Sequence, residues 1–122
     1  MFRKKGSWVQ RMRLEKTVAA HIIRSEVIRT GRFRIPCVAG DKMVVMYSEG
    51  EVAPCETLNE QMGNIRDYGY DMGKLLASER ARAIRKKIID EKCFCAHECF
   101  TSASITFSTR EMAKVLMRSL KP

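Results

Sequence analysis

Several things are missing from this 122-residue chain, and each absence removes a class of function. No stretch approaches the roughly 18 consecutive apolar residues of a membrane-spanning helix, so no membrane partner is expected. The start, Met1-Phe2-Arg3-Lys4-Lys5-Gly6-Ser7-Trp8, has no apolar h-region behind it, which argues against secretion. There is no internal repeat, low-complexity tract or linker. There is also no phosphate-binding glycine loop, acid–base pair or nucleophile constellation, so no catalytic residues are assigned and catalysis by the chain alone is not expected. Asp41, Glu49, Glu51 and Glu56 read more simply as turn and surface carboxylates. The expected setting is the cytoplasm, where thiols stay reduced.

Against these absences stand five cysteines, all in one arrangement. Cys37 is followed after twelve residues by Gly50 and after four more by Cys55; the run Cys93-Phe94-Cys95-Ala96-His97-Glu98-Cys99 lies further on. The spacing is C-x12-G-x4-C, a long gap, then C-x-C-x3-C. Two unit charges about 4 Å apart repel by roughly 4 kcal/mol at an effective dielectric near ~20. Thiolates gathered at this density therefore need a cation between them, and soft sulfur ligands select zinc, copper(I) or iron–sulfur clusters. A disulfide framework is the competing reading. It fits poorly, because such frameworks belong to secreted chains and usually to an even cysteine count.

The length suits one domain, or part of a larger one, and the apolar content of 45% is ordinary. The formal charge is +9, from 23 basic and 14 acidic side chains. Phosphate neutralisation supplies most non-specific affinity for nucleic acid, but here the basic residues are scattered over Arg3-Lys4-Lys5, Arg11 and Arg13, Arg29 to Arg34, and Arg80 to Lys87. Only Arg80, Arg82, Arg85, Lys86 and Lys87 form a dense run, and on a helix they spread around the circumference. That points to a solvated face rather than a nucleic-acid groove, although an anionic partner, a peptide or a neighbouring domain can also use the charge.

From Ser7 to about Thr30, Trp8, Met12, Ala19, Ile22, Ile23 and Val27 recur at three- and four-residue steps, the period of an amphipathic helix. Gly31 is placed to end it. His21 beside the stripe reads as an ordinary surface histidine. Ile35 to Gly40 is a loop, because Pro36 restricts its predecessor and glycine permits positive φ. Lys42 to Tyr47, a turn at Ser48-Glu49-Gly50, and Glu51 to Cys55 form a β-hairpin. Pro54 has no N–H for a ladder, so the second strand should be an edge or stop there. Antiparallel pairing then brings the region of Cys37 to that of Cys55. Glu56 to Tyr70 reads as a polar connection. Asp71 caps a short helix with Leu75 and Leu76, and Ser78 caps a longer one through Ala81, Ile84, Ile88 and Ile89 that runs into Cys93. Ser108 or Thr109 caps a last helix bearing Met112, Val115, Leu116 and Leu120.

The run from Cys93 to Cys99 puts two or three thiolates at one point. Zinc wants four tetrahedral ligands, commonly from two short knuckles; the second half of the pattern resembles a knuckle and the first half does not. A 4Fe–4S cluster also takes four cysteines and is large enough to be held by separated loops. His97 reads as a group that orients the outer shell rather than as a ligand.

These residues resemble a known family. Pro36-Cys37-Val38-Ala39-Gly40, Gly50-Glu51-Val52-Ala53-Pro54-Cys55-Glu56, Met62-Gly63-Asn64-Ile65-Arg66 and Lys92-Cys93-Phe94-Cys95-Ala96-His97-Glu98-Cys99-Phe100 resemble, in order, the C-terminal auxiliary-cluster region of radical S-adenosylmethionine proteins. That region is called SPASM or, in its one-cluster form, twitch. The resemblance runs from about Ile35 to Phe107. It implies an α+β fold in which a small β-hairpin and helices surround an iron–sulfur site, with a long N-terminal helix. The division expected is an N-terminal helical segment at 1–34, the cluster domain at 35–107 and a C-terminal helix at 108–122.

The C-x3-C-x2-C motif that cleaves S-adenosylmethionine in such enzymes is missing, and no barrel precedes the cysteines. The full pattern uses about seven cysteines for two clusters, so five allow one. By resemblance, Cys37, Cys55 and Cys99 are ligands first, with Cys95 ahead of Cys93 for the fourth place. The implied role is an auxiliary 4Fe–4S domain, a fragment or a split subunit, that aids substrate binding or electron transfer in the modification of a peptide or small molecule. Its implied partners are the missing catalytic barrel and a peptide substrate. The alternatives are a structural zinc module for protein or nucleic-acid interaction, and a remnant with inert cysteines.

Overall fold

A computed structural model describes residues 6–121 of the chain; Arg3, Lys4 and Lys5 of the scattered basic set lie outside the described residues. The fold is α+β; the described residues form a long N-terminal helix, four further α-helices and a small antiparallel sheet. Contacts divide it into two compact units. One takes in Met1–Ile35 with Phe94–Pro122, and the other Pro36–Cys93.

The first unit is helical. α1 (Trp8–Thr30) starts where Ser7 and Gln10 form a capping box: the Gln10 N–H donates to Ser7 Oγ and the Ser7 N–H to Gln10 Oε1. Such a cap satisfies two donors the helix leaves over and contributes about 1 kcal/mol. It ends where Gly31 turns left-handed at φ +61° and donates to the Val27 carbonyl. The expected limits therefore hold. The buried face is narrower than the periodicity suggests, comprising Ala19, Ala20, Ile23 and Val27, while Trp8 and Ile22 are exposed. His21 is exposed as expected. This face packs with Ile35 on the loop after α1, with Ile105 of α4 (Glu98–Thr106) and with Val115 of α5 (Thr109–Leu120). Of the two caps proposed for α5, Ser108 holds the position, its Oγ accepting from the Glu111 N–H at 3.3 Å.

The sequence reading did not find α4. Its buried face is Phe100, Thr101, Ser104 and Ile105, half of it small and polar, so no apolar stripe announces it. Thr101 Oγ1 donates to the His97 carbonyl at 2.9 Å, the way a helix buries a hydroxyl without leaving it unpaired.

The second unit contains the hairpin, shorter than expected. β1 is only Val45–Met46, because Lys42 closes a turn onto the Val38 carbonyl at 3.0 Å and leaves the strand. β2 (Glu51–Ala53) stops before Pro54. It is the central strand, with Val45 opposite Ala53 and Met46 opposite Val52 on one side. On the other side β3 (Gly63–Asn64) pairs Glu51 with Asn64 and Val52 with Gly63. The segment read as a polar connection thus supplies a third strand and a 3-10 helix, Ile65–Tyr68. It also supplies Met62, which is fully buried. α2 (Met72–Ala77) and α3 (Glu79–Asp90) follow, capped as expected by Asp71 and Ser78. Ala81, Ile84 and Ile88 are buried but Ile89 is 68% exposed.

The basic run on α3 is more engaged than a plain solvated face. Arg80 donates to the Gln61 carbonyl, Lys86 pairs with Asp90 and Lys87 with Glu60. The hydrogen bond to Glu60, helped by that carboxylate's charge, raises the pKa of Lys87 above its ordinary value. The tie is therefore present at neutral pH and is lost as pH rises through the raised value.

Two glycines separate backbone strain from close approach. Gly50 turns the hairpin at φ +86°, and a Cβ there would lie 2.7 Å from Asn64 Oδ1. That amide has little freedom to move, since it accepts from the Arg66 N–H and donates to the Glu49 carbonyl. Gly31 has a similar left-handed φ with nothing within 4 Å. Gly31→Ala should cost about 1 kcal/mol in denaturant unfolding and Gly50→Ala about 2–3 kcal/mol. Equal losses would contradict the close packing of the hairpin turn on β3.

Candidate metal centre

Three of the five cysteines, Cys37, Cys55 and Cys93, belong to the second unit, and Cys95 and Cys99 to the first. None of the five sulfurs is in a disulfide. Cys37 is half-buried on the loop before β1. That loop is closed by Gly40, at φ +76°, whose N–H donates to the Met43 carbonyl at 2.8 Å. A Cβ on Gly40 would lie 3.2 Å from the Pro54 side chain. The Cys37 loop thus abuts the residue just before Cys55, the neighbourhood that the hairpin spacing implied.

Cys55 is the buried member, 6% exposed. Two residues of the turn after it face its sulfur: the Leu58 N–H donates to Sγ at 3.3 Å, and Thr57 Oγ1 lies 3.2 Å away. Donors aimed at a sulfur hold it in place and suit a thiolate that carries charge. Cys93 is set by the way α3 ends. Lys92 turns left-handed at φ +48°, its N–H donates to the Ile89 carbonyl at 3.1 Å, and the Cys93 N–H reaches back to the Ile88 carbonyl at 2.9 Å. This is a Schellman cap. It leaves Cys93 lining a small cavity with Leu58, Ile84 and Ile88, so the turn that hydrogen-bonds Cys55 also borders Cys93.

In the first unit, Cys95 is half-buried and Cys99 exposed, in the first turn of α4. His97 occupies the N-cap position of that helix without a side-chain capping bond, its ring edge-on to Phe100 at 5.7 Å between centroids. Asp41, Glu49, Glu51 and Glu56 are all exposed.

Among the described residues, no three Cys, His, Asp or Glu side chains stand as a finished ligand set for one ion. The fit of an iron–sulfur group is therefore judged on the donor chemistry. Five thiols, one of them buried with a backbone N–H donating to its sulfur, fit a thiolate-held cluster, whose properties respond to hydrogen bonds on its sulfurs.

The sequence reading missed the groups that hold these loops. Arg85 reaches from α3 to donate through Nη1 to the Gly40 carbonyl at 3.3 Å and through Nη2 to the Leu76 carbonyl at 2.9 Å. Thr57 and Leu58 lie in the stretch expected to be a polar connection. No local pattern marks such residues, because their partners are distant or are backbone atoms.

The chain thus combines three consecutive short strands with capped helices, and four of its five cysteines stand outside helices and strands. The profile of the SPASM iron–sulfur cluster-binding domain matches residues 37–100, more than half of the chain. The chain belongs to this family, whose domains bind iron–sulfur clusters. No curated protein and no solved structure matched it. Among the described residues no helix is long and apolar enough to cross a membrane.

Exposure orders the reactivity of thiols. In the reduced, metal-free chain, brief alkylation followed by peptide mass spectrometry should label Cys99 first and Cys55 last. Early labelling of Cys55 would contradict its burial behind Pro54.

Proposed function

We propose that the chain is an auxiliary domain holding one 4Fe–4S cluster, working beside the catalytic barrel of a radical S-adenosylmethionine enzyme on a peptide or small molecule. The observation that carries this reading is the family match over 37–100, which takes in all five cysteines. We assign Cys37, Cys55 and Cys99 as ligands, with Cys95 ahead of Cys93 for the fourth place. The cluster-binding segment is taken as 35–107, between the N-terminal helix and α5, and the setting as cytoplasmic.

When bound, such a cluster supplies one-electron transfer or a charged surface against which a substrate is held. The chain's own part is to present and tune the sulfurs. The Leu58 N–H donates to Cys55 Sγ and Thr57 Oγ1 shares a hydrogen bond with it, the Schellman cap aims the backbone at Cys93, and Arg85 braces the loop after Cys37. Each acts on irregular backbone that no helix or strand would hold.

The test is anaerobic reconstitution with iron and sulfide, followed by metal and sulfide analysis. About four irons per chain, with brown colour, are expected. Cys37→Ser, Cys55→Ser and Cys99→Ser should each lose most of the bound iron, and Cys95→Ser more than Cys93→Ser. One zinc per chain and no colour would replace the reading with a structural zinc module. Removal of the metal by chelator should also lower the unfolding midpoint, since binding energy in a small metal-organised domain is folding energy.

A further inference from the structure

We propose that Arg24, in the middle of α1, is the positioning residue of the cysteine run, clamping the backbone between Cys95 and Cys99 for ligation. The inference rests on the cluster reading for its purpose and on contacts within the first unit for its geometry. Arg24 Nε donates to the Ala96 carbonyl at 2.8 Å, and Nη1 lies 3.5 Å from Glu98 Oε2. Ala96 directly follows Cys95 and Glu98 directly precedes Cys99. One guanidinium thus touches both ends of the three residues that separate the two thiols.

Arginine suits the task. Its planar fork presents donors in two directions at once, whereas lysine offers a single compact charge. The two contacts are unequal. The bond to Ala96 is partly buried, and its donor is charged, which makes it stronger than a neutral pair. Glu98 is 70% exposed, so its ion pair is screened and weak. The clamp is also backed by packing. Arg24 sits four residues after Ala20 and three before Val27, on the flank of the buried face of α1. Ala96 itself packs against that same core. The loop is therefore docked on α1 by one methyl group and one charged hydrogen bond.

This accounts for a feature that otherwise has no explanation. Residues 94–97 carry no regular secondary structure, and the run of His97, Glu98 and Cys99 opens α4 without a side-chain cap. A carbonyl in such a stretch needs a donor from elsewhere, and α1 provides it. The long helix is then the wall against which the stretch between two candidate ligands is set.

Hydrogen–deuterium exchange on the metal-free full chain tests the clamp directly. In Arg24→Met, amides at 95–99 should exchange about tenfold faster, the loss expected for one charged hydrogen bond. Amides inside α1 and α5 should stay unchanged, which separates a local clamp from general destabilisation. Glu98→Gln should leave the loop close to wild type, because the Ala96 bond remains. After reconstitution, Arg24→Met should lose iron to a chelator several-fold faster than wild type, with an altered electron paramagnetic resonance spectrum of the reduced cluster. Glu98→Gln should keep the wild-type spectrum. Exchange in Arg24→Met equal to wild type overturns the clamp, and so does an unchanged rate of iron loss. If the wild-type chain takes up no iron and sulfide, the cluster reading fails by itself, and the exchange result still decides whether Arg24 holds the loop.

Discussion

Irregular backbone cannot pair its own carbonyls, and a domain that places thiols on loops must satisfy those groups from elsewhere. In this chain guanidinium groups carry much of that duty. Arg85 serves the carbonyl of Gly40 on the Cys37 loop together with that of Leu76 at the end of α2. Arg80 serves Gln61, just before Met62 and β3. Arg24 serves Ala96 between Cys95 and His97. Arginine suits this use, because it never loses its proton and its flat fork spans two acceptors. Part of the excess of basic side chains over acidic ones, which invites thoughts of nucleic acid, is thereby accounted for as internal scaffolding.

The sheet follows the same logic on a smaller scale. With β1 and β3 only two residues long, it gains little from strand length. Its strength lies in central β2, whose Val52 is fully buried and whose backbone is paired on both sides. Gly50 lets the chain return tightly enough for Asn64 to reach across the turn. β2 ends before Pro54, and the residue after that proline is the buried Cys55, whose sulfur is hydrogen-bonded by the turn that follows. Strand, proline stop and buried thiol are consecutive consequences of one short stretch of sequence. The family that the chain belongs to binds iron–sulfur clusters, and a thiol delivered in this way suits that purpose.

Helix ends were the most legible part of the fold. Asp71 and Ser78 cap the helices expected of them, Ser108 holds one of the two positions considered for α5, and Gly31 ends α1 in the left-handed conformation. Three elements were not legible. Gly63–Asn64 is too short to show a period and becomes a strand only because β2 offers an edge. The 3-10 helix after it has one buried residue, Ile65. α4 buries threonine and serine beside Phe100 and Ile105, so its pattern lacks contrast. The apolar periods of α1 and α3 were read too widely for a related reason: Ile22 and Ile89 fit the spacing but stand in solvent, because only packing partners decide how broad a buried face is.

The sequence by itself determined the family and most of the helix ends. These depend on residue identity and on hydrogen bonds spanning three or four positions, which a short stretch of chain encodes completely. Only the tertiary structure decided that β2 is central, that Cys55 is buried while Cys99 is exposed, and which arginine serves which loop. The bonds from Arg85 to Gly40 and from Arg24 to Ala96 join residues 45 and 72 positions apart. A side chain that finds its acceptor at such a distance leaves no periodic trace, since its partner is a backbone carbonyl that every residue possesses.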